Sequence, residues 1–378
     1  MKRGLLHWLP IVLSLAFLLA MAYLQRERAL KGQNDFVQLY TAAKLAGTPD
    51  LYSRTANLAA VQATLGFTMD SVVYTRPPFY AALLKPLAAL PYPAAYAVFS
   101  LATFSSILWF VVRFQKQCSE LPLFAAMSIP ALTSLCDGQD TPLLLVILGG
   151  FILLTRQGHD FAGGLVLSLC AIKFHLFLFL PVLLLITKRW RILGGSVFGI
   201  AILTGAGMLV DGPDSIRQYL NVLRDPWINP RATIMPNLHG LVATLHGDAR
   251  LELLLAAAVL LAFLCTARQS ENFEFLFAAS LVCGLLVSFH SGVVDDLVLL
   301  PVFVSVMSAT SNAPLRAACA LILTPIPYFM VLADAPYSAF LPLALLVMLG
   351  MFCIAARKRI GAADVNSGPM QASLHPGR

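Results

Sequence analysis

The sequence predicts an all-α polytopic membrane protein, and three observations lead to that prediction. Hydrophobic residues make up 58% of its 378 positions and charged residues only 12%, whereas about a quarter of a soluble domain is charged. Apolar runs at 251–267, 273–289 and 337–356 approach or reach the roughly 20 residues that cross a bilayer core of about 30 Å. The net charge of +7 is spread over small basic clusters between such runs, which indicates topology signals and no nucleic-acid partner.

Counting the apolar runs predicts a bundle of about twelve transmembrane helices in a single domain over residues 1–360. The run at 8–24 resembles a signal sequence, and we interpret it as an uncleaved first span because the later spans need a helical partner there. The pair of short runs on either side of Lys173 fits two spans, one kinked helix or a re-entrant hairpin. The predicted spans are 8–24, 92–113, 121–135, 139–155, 161–172, 174–187, 192–210, 251–267, 273–289, 293–310, 314–332 and 337–356.

Basic residues alternate between the two ends of the predicted spans. With the N-terminus in the cytoplasm, every cytoplasmic segment carries Lys or Arg, while the short segments on the other side carry none except at Lys173. This positive-inside pattern predicts a multi-pass protein of the inner (plasma) membrane with both termini in the cytoplasm. It places the long loops 25–91 and 211–250 outside. The Gly, Ser and Pro content of 361–378 predicts a disordered cytoplasmic tail.

The first external loop is not typical of a linker. Its apolar residues recur near helical spacing, which predicts two amphipathic helices lying on the membrane. The segment 79–90, closed by two prolines, fits a third helix or a re-entrant piece. The recurring residues are Phe36, Leu39, Tyr40, Ala43 and Leu45 in the first helix and Leu58, Val61 and Leu65 in the second.

Two charged residues of this loop are candidates for chemistry. Asp35 opens the first amphipathic helix, where an acid is often an N-cap, but a carboxylate there could also act as a general base on a hydroxyl. Arg76 stands beside the pair Pro77-Pro78, which usually marks only a bend. An arginine held at such a turn could clamp a phosphate with two parallel hydrogen bonds.

The other polar candidates map to the same external ends of the spans. Lys173 and His175 interrupt an apolar stretch, where a midplane lysine costs about 2.5–3.5 kcal/mol, so we expect either snorkelling to the surface or binding of an anionic headgroup or phosphate. The turn 137–140, Asp-Gly-Gln-Asp, fits a simple loop with a helix-capping Asp. The acids at 295 and 296, after His290, fit a metal site or a helix cap. No zinc-type spacing, P-loop or Ser-His-Asp pattern occurs, so we expect no metal and no cofactor.

The order of several short motifs resembles glycosyltransferase family 87, the polyprenyl-phosphate-mannose-dependent mannosyltransferases of the GT-C type, over about residues 30–310. Two departures from the family pattern occur: Thr75 and Arg76 separate a tyrosine and two prolines that are usually adjacent, and Phe174 replaces the proline after the family's lysine. The matching motifs are Asn34-Asp35-Phe36, Tyr40-Thr41-Ala42-Ala43, Gly47, Pro49, Leu51-Tyr52, Tyr74 with Pro77-Pro78, Lys85-Pro86-Leu87-Ala88-Ala89-Leu90-Pro91, Asp137-Gly138-Gln139, Ala171-Ile172-Lys173, Lys188-Arg189-Trp190-Arg191, Met235-Pro236-Asn237-Leu238, and His290 with Asp295.

The resemblance implies a GT-C-like fold with its reaction at the extracytoplasmic face. It implies transfer of mannose, or another hexose or pentose, from a polyprenyl-phosphate donor to a lipid or glycan acceptor. The family's catalytic Asp falls on Asp35, to which we assign the general base of an inverting reaction. Besides the donor and the acceptor, we expect the protein to bind membrane lipids. We assign donor-phosphate binding to Arg76, Lys173, His175 and His290, and substrate binding to Tyr40, Gln139, Asn237 and Asp295.

Two other functions compete with this assignment. A secondary transporter or lipid or glycan flippase would bind cargo near the midplane between internal repeats. The halves of the sequence show no convincing similarity, and the polar residues favour one end of the spans. A non-catalytic partner in envelope synthesis is the third interpretation.

Overall fold

The computed structural model describes residues 31–66, 72–225, 228 and 231–366, together with single positions between 12 and 30. Apart from those single positions, the predicted first span at 8–24 lies outside the described residues. The predicted tail also lies outside them from 367 onward. The helices are α1 (Phe36–Leu45), α2 (Arg54–Leu65), α3 (Pro78–Leu84), α4 (Tyr92–Phe114), α5 (Leu121–Met127), α6 (Ile129–Asp137), α7 (Thr141–Arg156), α8 (Asp160–Leu167), α9 (Phe179–Ile186), α10 (Trp190–Asp211), α11 (Ser215–Val222), α12 (Leu238–Thr244), α13 (Ala249–Gln269), α14 (Phe273–Val287), α15 (Leu299–Ala309), α16 (Ala313–Ile322), α17 (Pro325–Leu332) and α18 (Phe340–Asn366). Short 3₁₀ segments lie at Lys85–Ala89, Ser168–Phe177, Ala232–Ile234, Val293–Val298 and Tyr337–Ala339.

The predicted all-α membrane fold is confirmed. Five helical stretches in the described residues are long and apolar enough to cross a membrane, and a sixth is formed if α16 and α17, which meet at a bend of 47°, make one span. The predicted count of twelve is not confirmed: several predicted spans are broken into shorter helices, and the predicted span 8–24 lies outside the described residues. The five stretches are Tyr92–Phe114, Asp160–Phe177, Trp190–Asp211, Ala249–Gln269 and Tyr337–Arg357.

α14 is the central helix of the bundle. Its residues from Phe275 to Leu286 are all buried, and it packs against α9, α13, α15 and α18. A side chain at Gly284 would collide with the carbonyl of Leu176, so the 3₁₀ segment Ser168–Phe177 lies directly on α14. This packing brings the end of α14 and the Lys173 region to the same place.

The stretch predicted as two spans, a kinked helix or a hairpin is interrupted at Lys173. Residues 160–167 form α8, and the 3₁₀ segment that follows contains Lys173 in a non-helical conformation (φ −131°, ψ 53°). Broken helices at membrane depth occur where the backbone is buried in protein or lines a cavity. The break at Lys173 therefore points to a polar site.

The first amphipathic helix is buried in the protein. Seven of the ten residues of α1 are buried, where the sequence predicted a helix lying on the membrane. Aromatic rings cover its apolar side: the Phe36 and Phe99 centroids lie 4.9 Å apart, and those of Tyr40 and Tyr92 lie 5.3 Å apart. In α2, by contrast, only Asn57 and Val61 are buried. α1 is therefore held rigidly, with Asp35 at its start.

α18 continues to Asn366, past the start of the predicted tail at 361. The segment expected to be a third helix or re-entrant piece forms α3 and the 3₁₀ segment Lys85–Ala89. Both pack on α1, so the end of the first loop also supports the helix that begins after Asp35.

Candidate active site

A cavity of about 630 Å³ opens where several helix ends converge, a volume within the range of small-molecule sites. The starts of α1, α2 and α3 form one part of its wall, and the α6–α7 turn, the break at Lys173 and the chain after α14 form another. Its polar lining residues are Asn34, Asp35, Gln38, Arg54, Thr75, Arg76, Thr133, Asp137, Gln139, Lys173, Asp225, Arg231, His290, Ser291 and Asp295. The structure thus brings together residues that are far apart in the sequence.

Asp35 does not cap the helix that it precedes. Its backbone is already helical (φ −74°, ψ −17°), and its side chain makes no cap hydrogen bond, whereas a capping residue normally lies in the extended region. One carboxylate oxygen, Oδ2, instead accepts a hydrogen bond from the Gln139 amide. The side chain is exposed in the cavity. The structure therefore does not support the helix-cap interpretation of Asp35.

Arg76 forms a bidentate ion pair with Asp140. Its Nε and Nη2 donate to the two carboxylate oxygens at 2.8 and 3.3 Å, and the side chains are 6% and 0% exposed. Tyr52 donates to the Arg76 carbonyl at 2.7 Å, which fixes the turn. Burial by itself raises the pKa of Asp140, but Arg76 and Lys173 outweigh burial and hold that pKa well below its usual range. Asp140 is therefore ionised at neutral pH.

Lys173 does not snorkel to the surface, because its side chain is 3% exposed. Its ammonium donates to Asp295 and Thr141, both at 2.6 Å, and lies 3.2 Å from Asp140. An ammonium has three hydrogens, and each has a neighbouring acceptor. Arg76, Asp140, Lys173 and Asp295 together form what we call the buried charge cluster, which offsets the cost of a lysine at this depth.

Gln139 links the buried charge cluster to Asp35. Its Oε1 accepts from Lys173 at 3.4 Å, while its Nε2 donates to the Asp35 carboxylate. Because an ammonium can only donate, the Lys173 contact fixes which end of the amide faces Asp35. Asp295 is held from its other side by the Gly292 backbone N–H at 3.0 Å. The cluster therefore orients Asp35 through a single amide.

The two histidines occupy different positions. His290 lines the cavity, whereas His175 is buried behind it, with the two ring centroids 5.6 Å apart. Burial lowers the pKa of His290 to about 4. Asp295 opposes that shift, while Arg76 and Lys173 add to it. His290 is therefore neutral at pH 7.

A neutral, half-buried His290 makes stability depend on pH. As the pH falls from about 7 to about 5, the unfolded chain protonates this histidine while the folded protein does not, so stability should fall by about 2 kcal/mol. His290→Asn should flatten that slope in unfolding titrations of the detergent-solubilised protein, and the exposed His159→Asn should leave it unchanged. Equal slopes for the parent and His290→Asn would contradict the assignment.

Two predicted substrate-binding residues do not line the cavity. The Tyr40 hydroxyl donates to the Leu90 carbonyl at 2.7 Å, within the aromatic cluster around α1. Asn237 caps α12 through the Gly240 N–H and donates to Ser288 O and Ser291 Oγ at 2.7 and 2.9 Å. Asn237 therefore supports the cavity wall at Ser291, whereas Tyr40 ties α1 to Leu90.

Other residues of the site did not stand out in the sequence. Asp140 was expected to be an ordinary loop or capping residue, although an acid placed directly before an apolar helix was a signal that a partner could be near. Arg54 and Arg231 lie in the long predicted loops, where no local motif marks them as site residues. Arg231 pairs with Asp334 at 2.5 Å, a contact that no local pattern indicates.

A comparison with protein-family models matches residues 74–292 to the family described as glycosyltransferase family 87. The matched region contains Arg76, Gln139, Asp140, Lys173 and His290, and it begins after Asp35. The comparisons with curated proteins and with solved structures gave no match.

Proposed function

Because the chain belongs to glycosyltransferase family 87, we propose that it moves a sugar from a polyprenyl-phosphate donor to a lipid or glycan acceptor. Mannose is the first candidate for that sugar, and another hexose or a pentose is the alternative. One observation supports the proposal most strongly. The Asp35 carboxylate lines the cavity and is held by Gln139, and it does not cap its own helix.

Asp35 serves as the general base in this proposal. The acceptor hydroxyl must lose its proton as its oxygen attacks the anomeric carbon, and a fixed carboxylate can accept that proton. The Gln139 contact engages Oδ2, which leaves Oδ1 for the acceptor hydroxyl. Direct attack with a single carboxylate inverts the anomeric centre, as in inverting glycosidases.

The departing phosphate gathers negative charge, and the cavity wall must stabilise it. Three residues on that wall can donate to the phosphate: His290, Lys173 and Arg76. The carboxylates of the buried charge cluster hold both cations, so they act as positioned charges and need no rearrangement during the reaction. His175 supports His290 through ring contact. Gln139 and Asp295 are the assigned substrate-binding residues that line the cavity, while Tyr40 and Asn237 act through the wall.

A transfer assay tests the proposed donor. Purified protein would be incubated with radiolabelled polyprenyl phosphate mannose and a lipid extract, and in parallel with nucleotide-linked mannose. We expect label to move into the acceptor fraction only from the polyprenyl donor. Transfer from the nucleotide sugar alone would refute the proposed donor.

Membership of a glycosyltransferase family favours this reaction over transport or flipping.

We further propose that the cavity opens on the extracytoplasmic face of the inner membrane, with both termini in the cytoplasm. The positive-inside pattern supports this orientation. In a cysteine-free background, Asp50→Cys, in the exposed first loop, should react with a membrane-impermeant maleimide from the outer side of the intact inner membrane. Labelling only after that membrane is opened would contradict the proposed orientation and indicate the opposite one.

A further inference from the structure

The end of α17 contributes an apolar wall to the cavity, and this wall continues onto the outside of the protein. Val331 and Leu332 line the cavity, and Val331 is 1% exposed while Leu332 is 62% exposed. Phe329 and Ile326, three and six residues before Leu332, are each 57% exposed. Residues three apart on a helix are neighbours. An uninterrupted apolar stripe therefore leads from the outer surface of α17 into the cavity.

This stripe lies on a part of the chain that has the length and composition of a membrane span. α16 and α17 together are long and apolar enough to cross a bilayer, with the bend of 47° between them. In such a segment, exposed apolar side chains face lipid. The stripe therefore offers an apolar path from the lipid phase to the cavity, along which a chain of isoprene units could lie.

The part of the cavity wall formed by α17 packs on different helices from the part that carries Asp35. Asp334, two residues after α17, pairs with Arg231 at 2.5 Å and accepts from Thr233 at 2.8 Å. These contacts join α17 to the segment Ala232–Ile234, whose Ile234 also lines the cavity. α1, in contrast, packs on α2, α3 and α4, while α17 packs on α16 and α18.

The geometry of direct displacement at the anomeric carbon indicates which side of the cavity binds the acceptor and which side binds the donor phosphate. The attacking oxygen and the leaving phosphate lie on opposite sides of that carbon. The acceptor hydroxyl must contact Asp35, so the phosphate belongs on the side away from α1. On that side Arg231 lines the cavity while paired with Asp334, and its remaining N–H groups can donate to the phosphate.

We propose that the stripe Ile326, Phe329 and Leu332 binds the isoprenoid chain of the donor, which reaches the cavity from the membrane along α17 and leaves the α1–α2 side to the acceptor. This inference rests on the proposed polyprenyl-phosphate donor. It adds the location of the chain, the orientation of both substrates and a role for α17.

Chain-length dependence tests this inference. Ile326→Trp, at the end of the stripe away from the cavity, should raise the KM for mannose on a full-length polyprenyl phosphate about tenfold or more, the scale on which apolar pockets respond to misfitting groups. It should leave the KM for geranyl phosphate mannose unchanged, because the short chain does not extend along α17. Leu101→Trp is the matched control, because Leu101 is 66% exposed on the apolar α4 and lies outside the stripe. Equal effects on the two donors would overturn the inference.

Crosslinking gives a readout that does not depend on turnover. A photoreactive benzophenone amino acid in place of Phe329 should capture donor labelled in its mannose, and the same amino acid in place of Leu101 should not. Capture of lipids from the extract without capture of the donor would overturn the inference and assign the stripe to the acceptor. If the parent protein transfers no sugar from either polyprenyl donor, the proposed function fails as well, so the two failures are distinguishable.

Discussion

Asp35→Asn should lower the turnover for sugar transfer by roughly 10² to 10⁴ while leaving the thermal unfolding midpoint close to that of the parent. The substitution keeps the size of the side chain and removes the carboxylate that would accept the acceptor's proton. It can also keep a hydrogen bond to Gln139, since the asparagine carbonyl still accepts. Because the Asp35 side chain makes no cap bond, the change should cost α1 little stability.

The matched control is Asp50→Asn, in the same loop and exposed, which should retain full activity. Turnover would be measured with labelled polyprenyl phosphate mannose at saturating donor, and folding by thermal unfolding in detergent. A well-folded Asp35→Asn protein with parental turnover would falsify the base assignment. The role would then pass to another cavity residue, with His290 first.

Asp140→Asn should lower the free energy of unfolding by about 3–5 kcal/mol, because it leaves Arg76 and Lys173 buried with only Asp295 to balance two positive charges. Asparagine has the same shape as aspartate, so the loss reports the charge. Removing both partners, as in Arg76→Met with Asp140→Asn, should cost less than Asp140→Asn alone.

The pH dependence of this loss follows from the pKa of Asp140. That pKa is depressed in the folded protein, so its stabilisation is fully present above about pH 4, the ordinary value for Asp, and is lost as the pH falls through the folded value. The difference between parent and variant should therefore be constant near neutral pH and shrink in acid.

Asp214→Asn is the matched control for this stability measurement. Its ion pair with Arg217 has side chains that are 70% and 75% exposed, and such pairs contribute little. Its unfolding midpoint should stay near that of the parent. An Asp140→Asn protein as stable as Asp214→Asn would show that the buried charge cluster does not hold the fold.

Asp35 and Lys173 show how much of the site the sequence can predict. For Asp35, the pattern placed an acid at the start of a helix after the first span, and whether that acid caps the helix depended on backbone angles that the sequence does not contain. For Lys173, the cost of a cation in an apolar stretch predicted a partner. The sequence suggested a phosphate as that partner, whereas the structure supplies Asp295, Asp140 and Thr141.

α1 and His175 show a different limit. The periodicity of α1 correctly predicted a helix, but an apolar face can contact lipid or protein equally well, and the aromatic side chains of α4 cover it. His175 and His290 both read as polar residues at one end of the spans. Only packing places one on the cavity wall and the other behind it.

By itself, the sequence determined that the chain is helical and membrane-spanning and which residues are costly to bury. These are local properties, set by composition and by the spacing of apolar residues within a few helical turns. Only the tertiary structure decided which residues are hydrogen-bonded to one another in the site. The hydrogen bonds from Arg76 to Asp140, Gln139 to Asp35 and Lys173 to Asp295 join residues 64, 104 and 122 positions apart. A buried charge requires a counter-charge, but which one it meets depends on how distant helices pack.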